Sequence, residues 1–148
     1  MISIENPWYV IKDGDPRGRT MVDRHYSGVK VNKKRLFLPP GEKMVLMTND
    51  SMALWGWVRN VVERMDKQEG VNCTVFRNEG NILSSWLVTM ACEFAWARWP
   101  NQRLFTYVNP EKVNSANPGF CFKKAGWTTA GKSQSGLVLL EKQPICQD

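Results

Sequence analysis

The segment from about Ile82 to Pro100 constrains the fold more than any other part of this sequence. Its apolar residues recur at the i, i+3, i+4, i+7 spacing of one helical face: Leu83, Trp86, Leu87, Met90, Ala91, Phe94 and Ala95. Pro100 ends the pattern, because proline cannot continue a helix. An apolar stripe of this kind must be covered, so we expect the helix to lie against a β-sheet.

A β-strand over residues 71–77 is predicted directly before this helix. It alternates between two sets of residues: Val71, Cys73 and Val75 on one face and Asn72, Thr74 and Phe76 on the other. The turn Arg77-Asn78-Glu79-Gly80 then leads into the helix and brings free backbone N–H groups and a positive dipole end together. This pattern predicts an anion site, with an ordinary capped helix as the alternative.

The other elements predict a mixed sheet with helices packed on it, in a single domain over residues 1–148. Further strands are expected at 8–11, 44–48, 53–58, 104–108 and 136–141, and further helices at 17–26 and 117–125. Asp15 is expected to cap the first helix. The turn before the long helix lacks the Gly-Lys-Ser/Thr of a P-loop and the glycines of a dinucleotide fingerprint, which disfavours Mg-ATP and NAD.

Charge and cysteine usage bear on partners and location. The net charge of +6 favours a polyanionic partner such as nucleic acid, or a phosphate-rich cofactor. The four cysteines form no CxxC pairs, so we expect reduced thiols and no metal site. The beginning of the chain does not look like a secretory signal, and its apolar runs are far shorter than the ~20 residues of a membrane span. We therefore expect a soluble cytoplasmic protein.

The segment from Asn117 to Trp127, NPGFCFKKAGW, is similar to a pattern of the GNAT acyltransferases, in which a helix ends in an aromatic, Lys-rich turn; Trp127 stands where Phe is usual. The resemblance implies an α/β fold with a mixed, mainly antiparallel sheet, helices packed on both faces, and splayed central parallel strands at 71–77 and 104–108. Acetyl-CoA or a related acyl-CoA would lie between those strands. The implied cofactor-binding residues are Arg77, Asn78, Gly80, Ser84, Ser85 and Phe120.

A narrower resemblance is to the Mom-type DNA-modification proteins of phages and their relatives. It is carried by four short motifs: Asp23-Arg24-His25-Tyr26-Ser27, Pro39-Pro40-Gly41, Phe76-Arg77-Asn78-Glu79-Gly80 and Val108-Asn109-Pro110. Mom-type proteins convert adenine in DNA to an acyl-derived form that protects phage DNA from restriction. The resemblance therefore implies an acyl-CoA-dependent transferase that modifies a nucleic-acid base, in the cytoplasm of a host cell if the chain is phage-encoded.

His25, Tyr26 and Asn109 are the candidates for the chemistry. His25 and Tyr26 could form a proton-transfer pair, or His25 could be a ligand if a metal is present, although a histidine hydrogen-bonded to backbone is an equally good interpretation. Asn109 stands where the family pattern tends to have Asp, and an amide is neither a useful base nor a strong ligand for a hard metal. Phe120 stands where an aromatic hydroxyl could act as an acid, which phenylalanine cannot do. Glu79 is expected to pair with Arg77.

Candidate nucleic-acid contacts lie in the loop over residues 28–41. Its cationic side chains could follow a phosphate backbone or simply be solvated: Lys30, Lys33, Lys34 and Arg35. Trp55 or Trp57 could stack on an extruded base, but core positions are the favoured interpretation for both.

Two other functions remain open at the level of sequence. The chain could be an N-acetyltransferase that acts on a protein or small-molecule amine. It could also be a binding or inhibitory protein without catalysis, because Asn109 and Phe120 depart from the pattern. Fold alone does not decide between these functions.

Overall fold

The computed structural model describes residues 2–24, 38–110 and 119–144. These residues form one sheet of seven strands: β1 (Trp8–Ile11), β2 (Glu42–Thr48), β3 (Ala53–Arg59), β4 (Val71–Asn78), β5 (Leu104–Val108), β6 (Thr128–Lys132) and β7 (Val138–Lys142). They also form three helices: α1 (Pro16–Arg24), α2 (Ser84–Arg98) and α3 (Phe120–Lys124). Asp15 caps α1 as predicted, since its Oδ1 accepts a hydrogen bond from the Arg17 amide at 2.9 Å.

The strand order in the sheet is β1-β2-β3-β4-β5-β7-β6. The neighbours β1–β2, β2–β3, β3–β4, β5–β7 and β6–β7 are antiparallel, whereas β4 and β5 are parallel. Parallel neighbours cannot be joined by a hairpin, and α2 supplies the crossover from β4 to β5. The crossover therefore sets where α2 begins relative to the sheet.

The predicted α/β fold, with helices packed on both faces and splayed central parallel strands, is wrong. The molecule is dominated by a mostly antiparallel sheet, and its helices are short, with 9, 15 and 5 residues. The core cluster on one face includes residues of α2 and α3, whereas the cluster on the other face is built mainly from strand residues. Helical periodicity in a sequence marks one apolar side of one helix, but it does not reveal how many helical layers a sheet carries.

The larger core cluster lies between α2 and the sheet and is rich in aromatic rings. Trp57 donates to the Ala91 carbonyl of α2 at 3.0 Å, and Trp8 donates to the Leu87 carbonyl at 2.8 Å. Trp55 and Trp57 have no exposed surface, so the interpretation of both as core residues is confirmed. Neither indole can stack on a base without unfolding.

A β-bulge in β4 changes which side chains face α2. Trp57 pairs with Cys73 and Gly56 pairs with Val75, so Thr74 is the extra residue. As a result Phe76 packs against the cluster under α2, whereas Val75 joins the cluster on the other face. The predicted alternation over residues 71–77 holds only as far as Thr74.

The predicted apolar stripe of α2 is buried over most of its length but not at its start. Leu87, Met90, Ala91 and Ala95 are buried, whereas Leu83 is 71% and Trp86 is 40% exposed. β6 was not predicted, and all its residues are exposed. Within the described ranges, no helix is long and apolar enough to span a bilayer.

Candidate functional site

The candidate site lies at the carboxyl ends of β4 and β5, which are neighbouring parallel strands. Their register joins Val71 to Leu104, Asn72 to Phe105 and Cys73 to Thr106, and both strands then run on, to Asn78 and Val108. The last pair is tied by the Thr106 hydroxyl, which donates to the Cys73 carbonyl at 2.8 Å. In sheets with parallel strands, ligands bind outside the carboxyl ends of those strands. In this chain α2 begins just beyond the carboxyl end of β4.

The N-terminus of α2 is suited to an anion. Its cap residue is Leu83, and no side chain of the described residues caps the helix. The first turn contains Ser84 and Ser85 and no acidic residue. Backbone hydrogen bonding begins with the amides of Trp86 and Leu87, which both donate to the Leu83 carbonyl at 3.1 Å. The amides of the two serines are therefore the ones that an anion would meet, with the positive end of the helix dipole behind them.

Asn78 holds the turn between β4 and α2. Its Nδ2 donates to the Ile82 carbonyl at 2.7 Å and to Ser84 Oγ at 2.9 Å, and its Oδ1 accepts from the Gly80 amide at 3.0 Å. Because each polar atom of the Asn78 amide is already used, this residue positions the start of α2. Its role as a cofactor ligand stays a prediction.

Arg77 and Gly80 also have local tasks. Arg77 Nε lies 3.0 Å from Glu79 Oε2, which confirms the expected pair. A Cβ at Gly80 would lie 2.8 Å from Met52 Cβ in the turn between β2 and β3, so only glycine lets the two turns approach this closely. Gly80 thus serves packing, and the described contacts leave Ser84 and Ser85 as the predicted residues best placed to meet an anion.

Helix α3 packs against α2, and its Phe122 contacts Phe76 near the carboxyl end of β4. Phe122 is buried, with its ring 6.1 Å from that of Phe76 and 5.8 Å from that of Trp55. Phe120, the predicted cofactor contact, is 53% exposed and lies on the outer side of the helix, where Lys124 Nζ is 5.9 Å from its ring. Phe76 and Phe122 were not recognised as site residues from the sequence.

The thiols around this region are neutral at physiological pH. Burial raises the pKa of Cys92 to about 12 and that of Cys73 well above its usual range, and it also raises the pKa of the half-buried Cys121. The structure describes all three as free thiols, which confirms the expectation of reduced cysteines for them. A protonated thiol is a poor nucleophile, so they have no obvious chemical role.

Several predicted residues lie outside the described residues: His25, Tyr26, Lys30, Lys33, Lys34 and Arg35. Asn109 is among the described residues and is half-buried. It directly follows β5, which is parallel to β4, so it lies at the same end of the sheet as the N-terminus of α2. Within residues 2–24, 38–110 and 119–144, no group of three or more His, Cys, Asp or Glu side chains is gathered as for a metal.

Comparison with known proteins adds no relative: no protein-family model matches the chain, and no curated protein matches its sequence. The geometry above therefore carries the functional argument.

The sequence did carry a faint signal for two further polar residues, Asn72 and Thr74. Both interrupt the apolar run of residues 71–76, and both have a side-chain oxygen that is buried without a hydrogen-bond partner among the described residues. The alternation in the sequence predicted that both lie on the second face of the strand, but it did not indicate that their oxygens would be buried.

Proposed function

We propose that this protein is an acyl-CoA-dependent acyltransferase whose acceptor is a nucleic-acid base. The cofactor pyrophosphate would bind the amides of Ser84 and Ser85, and the acyl group would lie between the carboxyl ends of β4 and β5. The observation that carries the proposal is that α2, whose start has no side-chain cap among the described residues, begins just beyond the carboxyl end of β4, the strand that pairs in parallel with β5.

The anion part of the proposal follows from charge. A pyrophosphate brings negative charge to a helix end whose first turn has no carboxylate, and the hydroxyl of Ser84, which accepts from Asn78, keeps its own proton to donate. Glu79 is held by Arg77, so its charge is partly neutralised. These contacts favour a phosphate-bearing ligand over a neutral one.

The thioester part follows from the apolar surroundings of the carboxyl end of β4. Phe76 and Phe122 meet edge to face at 6.1 Å in the core cluster that includes residues of α2, and the thiols of Cys73 and Cys121 in or against the same cluster are neutral. An apolar, uncharged wall suits the pantetheine and acyl portions of the cofactor, because these bury surface without demanding charge partners. In the transfer, the acceptor nitrogen would attack the thioester carbonyl, the C–S bond would break and CoA would leave as a thiolate that takes up a proton.

The acceptor is supported by sequence and charge. The net charge of +6, the basic residues 30–35 and the resemblance to Mom-type proteins favour nucleic acid. We assign proton transfer to His25 and Tyr26 as part of the same proposal. The proposal also includes Asn109 in the site, because it follows β5 at the end of the sheet where α2 begins.

The proposal is tested by acyl transfer. Purified protein is incubated with acetyl-CoA and with a DNA oligonucleotide, a lysine-containing peptide or spermidine, and each acceptor is analysed by mass spectrometry. An increase of one acetyl group on DNA alone supports the proposal. Transfer to the peptide or the polyamine instead would identify an N-acetyltransferase that acts on a protein or small-molecule amine. CoA binding without transfer to any acceptor would favour a binding protein without catalysis.

A further inference from the structure

Two oxygen atoms on β4 are buried without a hydrogen-bond partner among the described residues. They are Oδ1 of Asn72, a residue that is only 8% exposed, and Oγ1 of Thr74. Leaving a buried polar atom unpaired costs free energy, and native structures contain few such atoms. Two of them on consecutive positions of one face point to a ligand.

Both oxygens lie on the face of the sheet opposite α2. Val71 and Cys73 belong to the cluster under α2, so Asn72 between them faces the other side. Thr74 lies on the same face as Val75, which belongs to the cluster on the side opposite α2. A Cβ built on Gly56 of β3 would point to that side, where it would lie 2.8 Å from Val75 Cγ1 and 3.3 Å from Thr74 Oγ1. Residues two apart on a strand are ~7 Å apart, so one small ligand can reach both.

The two residues flank the end of the register between β4 and β5. Asn72 still pairs with Phe105, whereas Thr74 lies one residue beyond Cys73, the last β4 residue in the register with β5. A group bound to Asn72 and Thr74 would therefore lie at the end of this register, on the face opposite α2.

The charged groups described on this side are already paired. Phe105 lies between Arg64 and Arg103, whose guanidinium carbons are 5.2 and 5.0 Å from its ring centroid. Arg64 pairs with Asp66 at 2.7 Å, and Arg103 pairs with Glu141 at 2.6 Å.

The carboxylate of Asp66 has a second partner, since it also accepts from the Tyr107 hydroxyl at 2.9 Å. The two carboxylates that flank Phe105 through these arginines are therefore already neutralised, and burying a cation beside uncharged oxygens would be costly.

We propose that Asn72 and Thr74 form a subsite for an uncharged N–H donor, such as a carboxamide or the exocyclic amine of a nucleobase. The subsite itself is argued from these two atoms and their surroundings. Its use for the acyl acceptor rests on the proposed function.

Stability gives the first test, because an unpaired buried polar group is better replaced by an apolar one of the same shape. Thr74→Val is expected to raise the Tm of the ligand-free protein by roughly 2–4 °C. Thr106→Val is the matched control: that hydroxyl has a partner in the Cys73 carbonyl, so its loss should lower the Tm. A fall in Tm for Thr74→Val like that of the control would overturn the proposal.

Ligand binding gives the second test, by saturation-transfer NMR with benzamide and cytidine as neutral N–H donors and benzylamine as the cationic counterpart. The neutral probes should bind the native chain, and Asn72→Leu and Thr74→Val should weaken them by roughly tenfold or more. Retained binding in these variants, equal binding of benzylamine, or no binding of the neutral probes to the native chain would overturn the proposal. Acetyl-CoA binding is measured in parallel and should be unchanged in both variants; its absence in all proteins would count against the proposed function alone.

Discussion

The side-chain amide of Asn78 joins the last residue of β4 to the first residue of α2, with its Nδ2 2.9 Å from Ser84 Oγ. The same nitrogen donates to the Ile82 carbonyl, and Oδ1 holds the Gly80 amide. The position of the α2 N-terminus relative to the parallel strands therefore depends on one residue. A variant at this position should affect both stability and ligand binding.

Asn78→Ala removes these three hydrogen bonds and should lower the free energy of unfolding by about 1–3 kcal/mol. It should also weaken CoA binding, because the first turn of α2 loses its anchor. Urea denaturation and calorimetry measure the two effects. Asn81→Ala is the matched control, since Asn81 is exposed in the same turn and should change neither quantity. Equal behaviour of the two variants would contradict the role of Asn78.

Trp57 should be among the most costly residues to truncate. Its side chain is fully buried and its Nε1 donates to the Ala91 carbonyl, so Trp57→Ala should destabilise the fold by about 3–5 kcal/mol. Trp86→Ala, at a 40% exposed position, should cost far less. Chemical denaturation of the two variants compares them directly, and a similar loss in both would show that the core is not organised around Trp57.

Asp66 should make stability depend on pH in the acid range. The hydrogen bond from Arg64 holds the pKa of this carboxyl far below its usual range, with Tyr107 as a further donor. The folded carboxyl therefore stays ionised at pH values where the unfolded one takes up a proton, so its contribution is full above the unfolded pKa and is lost as pH falls. Asp66→Asn should lose less stability than the native chain between pH 6 and pH 3, roughly the range around that pKa. Parallel urea curves at both pH values check this, and equal losses would show that Asp66 is not coupled to folding.

Cys92 should destabilise the protein in alkaline solution. Burial raises its pKa from 9.0 to about 12, so the folded chain keeps a proton that the unfolded chain loses. Its contribution is full below pH 9.0 and is lost as pH rises toward about 12. Cys92→Ala should therefore show a smaller loss of stability between pH 8 and pH 10, roughly the range around the unfolded pKa of 9.0. An identical loss in native and variant proteins would refute the assignment.

Much of the secondary structure could be predicted, because the elements carry strong local patterns. The hairpin of β2 and β3, the strand β4 and the helix α2 follow from alternation, turn residues and the stripe that Pro100 ends. β6 was missed because Thr128–Lys132 is exposed on both faces, so it shows no alternation between apolar and polar residues. An edge strand of this kind is stabilised by pairing with β7, which the local sequence does not encode.

The packing of helices on the sheet and the candidate site were harder to predict, because both also depend on contacts between distant segments. The bulge at Thr74 moves Phe76 under α2 and Val75 to the other face, and it depends on pairing with β3. The anion-binding pattern at the start of α2 was recognisable, but the use of Asn78 and Gly80 for local packing was not. Contacts between distant segments decide which polar atoms remain available to a ligand.

The central claim is that the start of α2 binds the cofactor pyrophosphate, and one calorimetric titration with acetyl-CoA tests it most directly. Ser85→Asp is the decisive variant, because a carboxylate in the first turn stabilises the helix by about 0.3–1 kcal/mol while repelling a phosphate. Ser85→Ala is the control that removes the hydroxyl without adding charge. The account predicts saturable binding to the native chain, a small loss for Ser85→Ala, and a loss of roughly tenfold or more for a well-folded Ser85→Asp. Native-like affinity in Ser85→Asp, or no binding to the native chain, would contradict it.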